Sequence, residues 1–481
     1  MSGLVSVWAG RTAPWATLWA LAVAGLLALA IGLLPLSYSL LLVLGSVAVL
    51  AILLEPRLGV LLVIPAVPFG SLASVRVGVT NVGAAEVLIA LTLAAWLMRM
   101  IAQREVRWTW PPLALPSVAF LGVLLLSSLQ ARSLEYSLKE ILKWIEVLAL
   151  YSFVANEFDQ KWARRLVAVL LVTGAAAALQ GIYQFLFQVG PEGFVLFGRF
   201  MRAYGTFEQP NPYGGYLGLT LPLAVGFLAV WILPTAGRVT GRWLAGAVAA
   251  GALMAAALVM SWSRGAWLGF AAAVASMVTA VAARSGRAAV IVLVLVTLMA
   301  YVVLVGGLGL PPSLAQRLGD FLPYVSLTDV RGVEVTDANF AVLERMAHWQ
   351  AALDMWTDHP WLGVGAGNYE AAYASYALPL WPLALGHAHN YYLNIAAETG
   401  AVGLAVYLLL WVAAVAAAWR AARRSSGWSL AASLGILGVV VHLSAHNFFD
   451  NLYVHGMYLQ VGILLGLIPV LTRRPDDIAV K

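Results

Sequence analysis

Apolar stretches of about 18 or more residues, the length a helix needs to cross a bilayer, recur along this 481-residue chain. Burial in a soluble fold cannot absorb them. Hydrophobic residues make up 62% of the chain and charged residues 10%, against about 25% charged in an ordinary soluble protein. A soluble enzyme and a disordered chain are both excluded. Membrane-spanning β structure is excluded too, because the runs are continuous rather than alternating. The expected fold is an all-α polytopic transmembrane bundle of about 12–14 spans. They fall near 15–34, 38–54, 58–73, 84–102, 114–130, 139–156, 162–188, 212–234, 243–262, 264–283, 287–306, 389–419, 427–446 and 453–471. The lower count applies if the piece near 58–73 is short or re-entrant. Arg11 precedes the first run with no evident small-residue cleavage site, so that run reads as a retained helix. With no cysteine, the chain has no disulfide, thiol nucleophile or thiolate metal site.

Basic residues orient the spans. Clusters at Arg99, Arg104 and Arg107, at Lys161, Arg164 and Arg165, at Arg238 and Arg242, at Arg284 and Arg287, at Arg420, Arg423 and Arg424, and at Arg473 and Arg474 all fall on one side when the spans are threaded in order. The positive-inside rule makes that side cytoplasmic, with both termini inside. The same short loops account for the net charge of +6 without a nucleic-acid partner. The chain then divides into a first membrane region, 1–306, an outward loop, 307–388, and C-terminal spans, 389–481. The large loop is expected to hold a helix near 340–357, capped by Asn339 or Asp337 and ended by His359-Pro360. No internal repeat is evident, which disfavours an inverted-repeat transporter.

Three inward-running helices start on the outer side. One opens at Asn211-Pro212, with Asn211 as the expected cap. One opens at Ser263-Arg264-Gly265, with Ser263 as cap, and one at His389-Asn390. Each start offers free N–H groups and a partial positive charge. Arg202, Arg264 and His389 stand beside them, so converging ends make an anion site. Arg264, between two apolar spans, either snorkels to headgroups or forks onto phosphate oxygens. Arg202 is a phosphate ligand or a solvated loop charge. Arg345, on the loop helix, is a ligand or a surface arginine stacked on Trp349.

His387 and His389 form His-x-His, which can supply two metal ligands. No carboxylate or third histidine stands nearby in sequence, His442, His446 and His455 being the distant residues that could join, and the expectation is no metal. A histidine at a helix N-terminus favours its neutral, proton-accepting form, so His389 is the candidate general base, the alternative being a histidine that only anchors a helix end by hydrogen bonding. Gly363-Val364-Gly365-Ala366-Gly367-Asn368 is not read as a nucleotide loop, because no strand–turn–helix unit surrounds it. His446-Asn447-Phe448-Phe449-Asp450-Asn451 lines the same cavity or only caps helices. Glu398 lies within a span and wants a partner that sequence does not name.

His389-Asn390, nine residues, then Gly400-Ala401-Val402-Gly403 matches the pattern H-[N/S/Q]-x9-G-x-x-G. The chain thereby resembles the O-antigen ligase and O-antigen polymerase superfamily. Ser263-Arg264-Gly265-Ala266-Trp267 is similar to elements of that family. So are Thr206-Phe207 with Pro210-Asn211, and the turn from His359 to Gly365. The resemblance implies a metal-independent membrane glycosyltransferase whose donor is a glycan on undecaprenyl pyrophosphate. It implies a catalytic role for His389 and pyrophosphate binding by Arg202, Arg264 and, more loosely, Arg345. Asn211, Ser263, His387 and Asn390 would support them. The acceptor would be a hydroxyl on a glycan or lipid. No cofactor and no nucleic acid are expected. A ligase reading is preferred, a polymerase is the alternative, and a lipid-linked glycan transporter is the third reading.

Overall fold

A computed structural model describes residues 25, 35–70, 75–77, 80–105, 108–232, 237–285, 329–336 and 339–473. The expected spans near 15–34 and 287–306 lie outside these residues, apart from Gly25. So do Arg11, Arg107, Arg287, Asp337 and Arg474.

The protein is an all-α polytopic bundle. Its helices are α1 (Leu36–Leu54), α2 (Arg57–Phe69), α3 (Ala84–Gln103), α4 (Ala114–Ser127), α5 (Leu134–Glu157), α6 (Gln160–Phe187), α7 (Pro210–Gly218), α8 (Leu221–Ile232), α9 (Gly241–Met260), α10 (Arg264–Ser285), α11 (Phe340–Asp358), α12 (Tyr369–Tyr373), α13 (Tyr391–Arg424), α14 (Gly427–His446) and α15 (Met457–Thr472). Among the described residues, strand is confined to two small antiparallel hairpins. Val75–Val77 pairs with Thr80–Val82, and Val195–Leu196 with Phe200–Met201.

Eight of the described segments are long and apolar enough to cross a membrane, with α7 and α8 counted together. Helix α2 has only 13 residues and contains Pro65 and Pro68, so at about 20 Å it falls short of a bilayer core. That is the short piece expected near 58–73. The span expected at 212–234 is broken at Leu219-Thr220, where the Gln460 amide on α15 donates to the Leu219 carbonyl and to Thr220 Oγ1. An outside side chain thus satisfies the broken turn, as a membrane interior requires. Helix α5 carries Lys139, Glu140, Lys143 and Glu146 and is not among the eight.

One apolar core runs through the bundle, with α14 packed against α8, α10 and α13. The described basic clusters gather at one end. There Arg284 donates to the carbonyls of Ala422, Arg423 and Ser425. Arg57 and Arg165 both lie over the Trp162 ring, and Arg473 reaches the Phe158 carbonyl.

The length of α13 poses a geometric problem. Its 34 residues would measure about 51 Å if straight. The 20 residues of α14 measure about 30 Å. Yet the two helices meet at both ends: Ser425-Ser426 joins them at one, and the Tyr391 amide donates to the Asn447 carbonyl at 2.8 Å at the other. A break at Gly400 resolves the mismatch, with φ 65° and ψ −167°. At that break the His359–Gly367 turn docks backbone against backbone. Ala401 N–H donates to the Pro360 carbonyl at 2.8 Å, Val364 N–H to Ala397 at 2.9 Å and Gly365 N–H to Glu398 at 3.0 Å. A Cβ at Gly400 would overlap the Trp361 carbonyl. Residues 391–399 therefore form a separate arm, held against the end of the bundle opposite the basic clusters.

Gly400→Ala is expected to destabilise the protein by about 1–3 kcal/mol or more. Gly122→Ala on α4, where a Cβ meets nothing within 4 Å, should change stability by no more than about 1 kcal/mol, and in the stabilising direction. Thermal unfolding of the purified protein in detergent compares the two. Equal transitions would mean that this contact does not set the kink.

Candidate active site

The loop before α7 places the first arginine. Gln184 on α6 is buried and accepts from the amides of Tyr204, at 3.1 Å, and Gly205, at 2.7 Å, while its amide donates to the Gly205 carbonyl at 2.8 Å. The Ala203 amide donates to Met260 O at 2.9 Å. So fixed, half-buried Arg202 donates through Nε to Ser261 O at 2.9 Å and through Nη2 to Asn211 Oδ1 at 2.8 Å. Asn211 is therefore not the helix cap expected from sequence. Helix α7 starts two residues earlier, at Pro210, with Gln209 at the cap position. The Asn211 side chain is turned to Arg202 instead.

Helix α10 starts at Arg264, directly after buried Ser263, whose carbonyl accepts from the Trp267 amide at 3.0 Å. Two glycines let the helix starts touch. A Cβ on Gly214 would come within 3.0 Å of Ala266 Cβ and Ser261 Oγ. One on Gly265 would come within 2.9 Å of the His446 ring. Small residues at such crossings allow membrane helices to approach closely.

The third start, of α13, follows His389-Asn390 as expected, and Asn390 caps it. Asn390 Oδ1 accepts from the amides of Tyr392, at 3.0 Å, and Leu393, at 3.1 Å. Just before it His389 adopts a left-handed φ of 52°, uncommon for a residue with a side chain. His389 Nδ1 lies 3.8 Å from Asp450 Oδ1, and His387 Nε2 lies 3.9 Å from the same oxygen. The His348 ring, on α11, stands 5.5 Å from that of His389. Helix α11 ends at His359 as expected, but Asn339 at its start bonds the Thr336 amide and the Glu334 carbonyl rather than capping it with its side chain.

The two groups share a wall. His446, the last residue of α14, lies against Gly265 on one side and four residues before Asp450 on the other. Three helix starts thus meet at one end of α14. Arg202, Asn211, Ser263 and Arg264 stand on one flank, and His387, His389 and Asn390 on the other. Arg345 on α11 belongs to the second flank, because its charge acts on both His387 and Asp450.

Burial controls the imidazoles here. It pushes the His387 pKa down to about 3, helped by His389, His348 and Arg345 and opposed by Asp450. Burial and then His389 push His348 down to about 4. Burial alone would raise Asp450. The histidines and Arg345 outweigh it and hold the carboxyl below the usual range. Asp450 is therefore held as an anion beside His387, His389 and Arg345.

His387, His389 and Asp450 have heteroatoms all within 4.8 Å of one another, so the third ligand missing from the sequence is supplied by the fold. The His387 tautomer matters, however. Its Nδ1 accepts from the His389 amide at 3.0 Å, which puts the proton on Nε2, the atom facing Asp450. A metal needs that lone pair free. The donor set as folded therefore suits hydrogen bonding to a carboxylate better than cation binding.

Asp450 is the residue that sequence reasoning did not single out. It follows His389 by 61 positions, and only its place in the segment after α14 hinted at it. Glu398 finds its partner in the Tyr369 amide at 3.1 Å. The glycine-rich turn is occupied with packing on α13.

Residues 249–408, about a third of the chain, match the family model described as O-Antigen ligase. The match includes Ser263, Arg264, Arg345, His387, His389 and Asn390, and leaves out Arg202, Asn211 and Asp450. It supports the O-antigen ligase superfamily and a function of ligase or polymerase type. No curated protein matches the chain.

His348 and His387 have folded pKa values below 6.5, so the unfolded chain binds their protons first. Their contribution to stability is intact above about pH 6.5. It is lost as pH falls toward about 4 for His348 and about 3 for His387. The slope reaches up to about 1.4 kcal/mol per pH unit for each group. Melting temperature should fall on acidification from pH 7 to 4, and His387→Gln should flatten that fall. An unchanged pH slope in the variant would rule His387 out as its source.

Proposed function

We propose that the chain is an O-antigen ligase-like glycosyltransferase that moves a glycan from undecaprenyl pyrophosphate to an acceptor hydroxyl, without a metal or nucleotide. The observation that carries this reading is the meeting of three helix starts and three arginines with a carboxylate-paired histidine at one end of α14. Membrane chemistry favours that combination. A lipid-borne pyrophosphate presents several anionic oxygens at headgroup depth, where guanidinium forks and helix N-termini bind them. The basic clusters at the opposite end argue that this end faces away from the cytoplasm, on the outer side of the cytoplasmic membrane.

In this mechanism Arg202, Arg264 and Arg345 bind the pyrophosphate and stabilise the negative charge that develops on it as the anomeric C–O bond breaks. Asn211 orients Arg202. Asp450, on the Nδ1 side of His389, favours the tautomer with the proton on Nδ1 and leaves Nε2 free. His389 Nε2 then takes the proton from the acceptor hydroxyl as its oxygen attacks the anomeric carbon. Attack opposite the leaving group inverts that centre. Undecaprenyl pyrophosphate departs, and the proton passes from His389 to it or to solvent. Asn390 and His387 hold the histidine's backbone in place.

The test incubates purified protein with an undecaprenyl-pyrophosphate-linked glycan and candidate acceptors, and resolves the products by size. A single shift that needs a separate acceptor is expected. A ladder from donor alone would identify a polymerase instead. His389→Ala should lower turnover by about 100- to 10,000-fold. Asp450→Asn should cost a comparable factor in kcat with donor binding preserved. Arg264→Ala should cost a few kcal/mol of transition-state stabilisation, roughly 3. Full turnover by His389→Ala would sink the base assignment.

A further inference from the structure

The segment that leads into His387 carries no charged residue from Ala371 to Gly386. It contains Pro379 and Pro382 and forms no helix beyond Tyr373, so it does not span a membrane. It is nevertheless firmly held. Buried Trp381 packs on Phe340 of α11 with ring centroids 5.0 Å apart, and the Tyr373 hydroxyl donates to the Trp381 carbonyl at 2.8 Å. Leu378 is buried beside it. Between and beyond these anchors the loop turns three leucines outward. Leu380 is 67% exposed, Leu383 71% and Leu385 46%.

Three exposed leucines within six residues, with no charge among them, form an unusual surface for water. The position of the loop suggests what covers it. It enters α13 through His389, and the start of α13 is bonded to the end of α14, a helix long and apolar enough to span. The adjoining turn after α14 also exposes Phe448 and Phe449, with the Phe448 ring packed at a tilt against Tyr392, centroids 4.4 Å apart. The loop is therefore level with the rim of the membrane-crossing bundle. The loop carries no charge and its Trp381 carbonyl is already bonded by the Tyr373 hydroxyl of α12, so immersion in lipid desolvates no ion and gains the burial of its leucines.

We propose that residues 377–386 are an interfacial anchor that dips Leu380, Leu383 and Leu385 among the phospholipid acyl chains of the leaflet at the His389 end. The anchor sets the height of His387 and His389 relative to the headgroups. The inference rests on the membrane reading of the fold and not on the transfer chemistry.

The absence of cysteine permits a direct test on the full chain. Leu383→Cys and Leu380→Cys are labelled singly with an environment-sensitive fluorophore and reconstituted into phosphatidylcholine–phosphatidylglycerol vesicles. Val412→Cys on the exposed side of α13 serves as the lipid reference, and Arg331→Cys, in an exposed polar loop, as the aqueous one. The loop labels should match Val412→Cys, with blue-shifted emission, quenching by nitroxide lipids and protection from iodide. Quenching by iodide as at Arg331→Cys would overturn the anchor. Protection from both quenchers would also overturn it, by showing that protein covers the loop. Neither result depends on catalysis, so failure here is distinguishable from failure of the glycosyltransferase reading.

Discussion

The arrangement at the His389 end depends on one backbone-to-backbone contact, between the His359–Gly367 turn and residues 397–402 of α13. Four amide–carbonyl bonds join them, from Val364, Gly365, Ala401 and Val402, and the Ser127 hydroxyl lies against the Leu362 and Glu398 carbonyls on the two sides of the joint. No side chain fits at Gly363 or Gly400. The contact breaks a helix that would otherwise run past the end of the bundle, and it lays the broken arm beside α14. His389 stands at the tip of that arm. The glycines of the histidine motif thus act on the site through the backbone path, several turns from any chemistry.

Electrostatics complete what the kink begins. Burial keeps His348 and His387 neutral, while Asp450 remains an anion beside His389 and within the field of Arg345. In the proposed reaction the carboxylate-flanked imidazole of His389 accepts a proton, and the arginines and helix starts receive negative charge. The two flanks meet at His446 because glycines at 214 and 265 let α7, α10 and α14 touch. The groups proposed for proton acceptance and for anion binding are therefore held by different helices that share one wall.

The same economy governs the membrane-embedded parts. Where α7 gives way to α8, Gln460 satisfies the freed carbonyl. At the rim, where α13 ends, Arg284 donates to three carbonyls. In a medium without water each exposed backbone group needs such a partner, and these partners come from distant stretches of chain.

The sequence by itself determined the all-helical membrane fold, because continuous apolar runs at spanning length leave no other way to satisfy the backbone. It also pointed to the starts of α10 at Arg264 and of α13 after Asn390, the latter set by local capping chemistry. It pointed to His389 and the arginines through residue type and neighbouring helix ends. Only the tertiary structure decided that these ends converge, that Asn211 holds Arg202 rather than capping α7, that Gly400 bends α13, and that Asp450 faces His389. Each of those outcomes joins residues far apart in the chain through packing or through one hydrogen bond. Local periodicity and capping rules describe a few turns at a time and carry no information about such meetings.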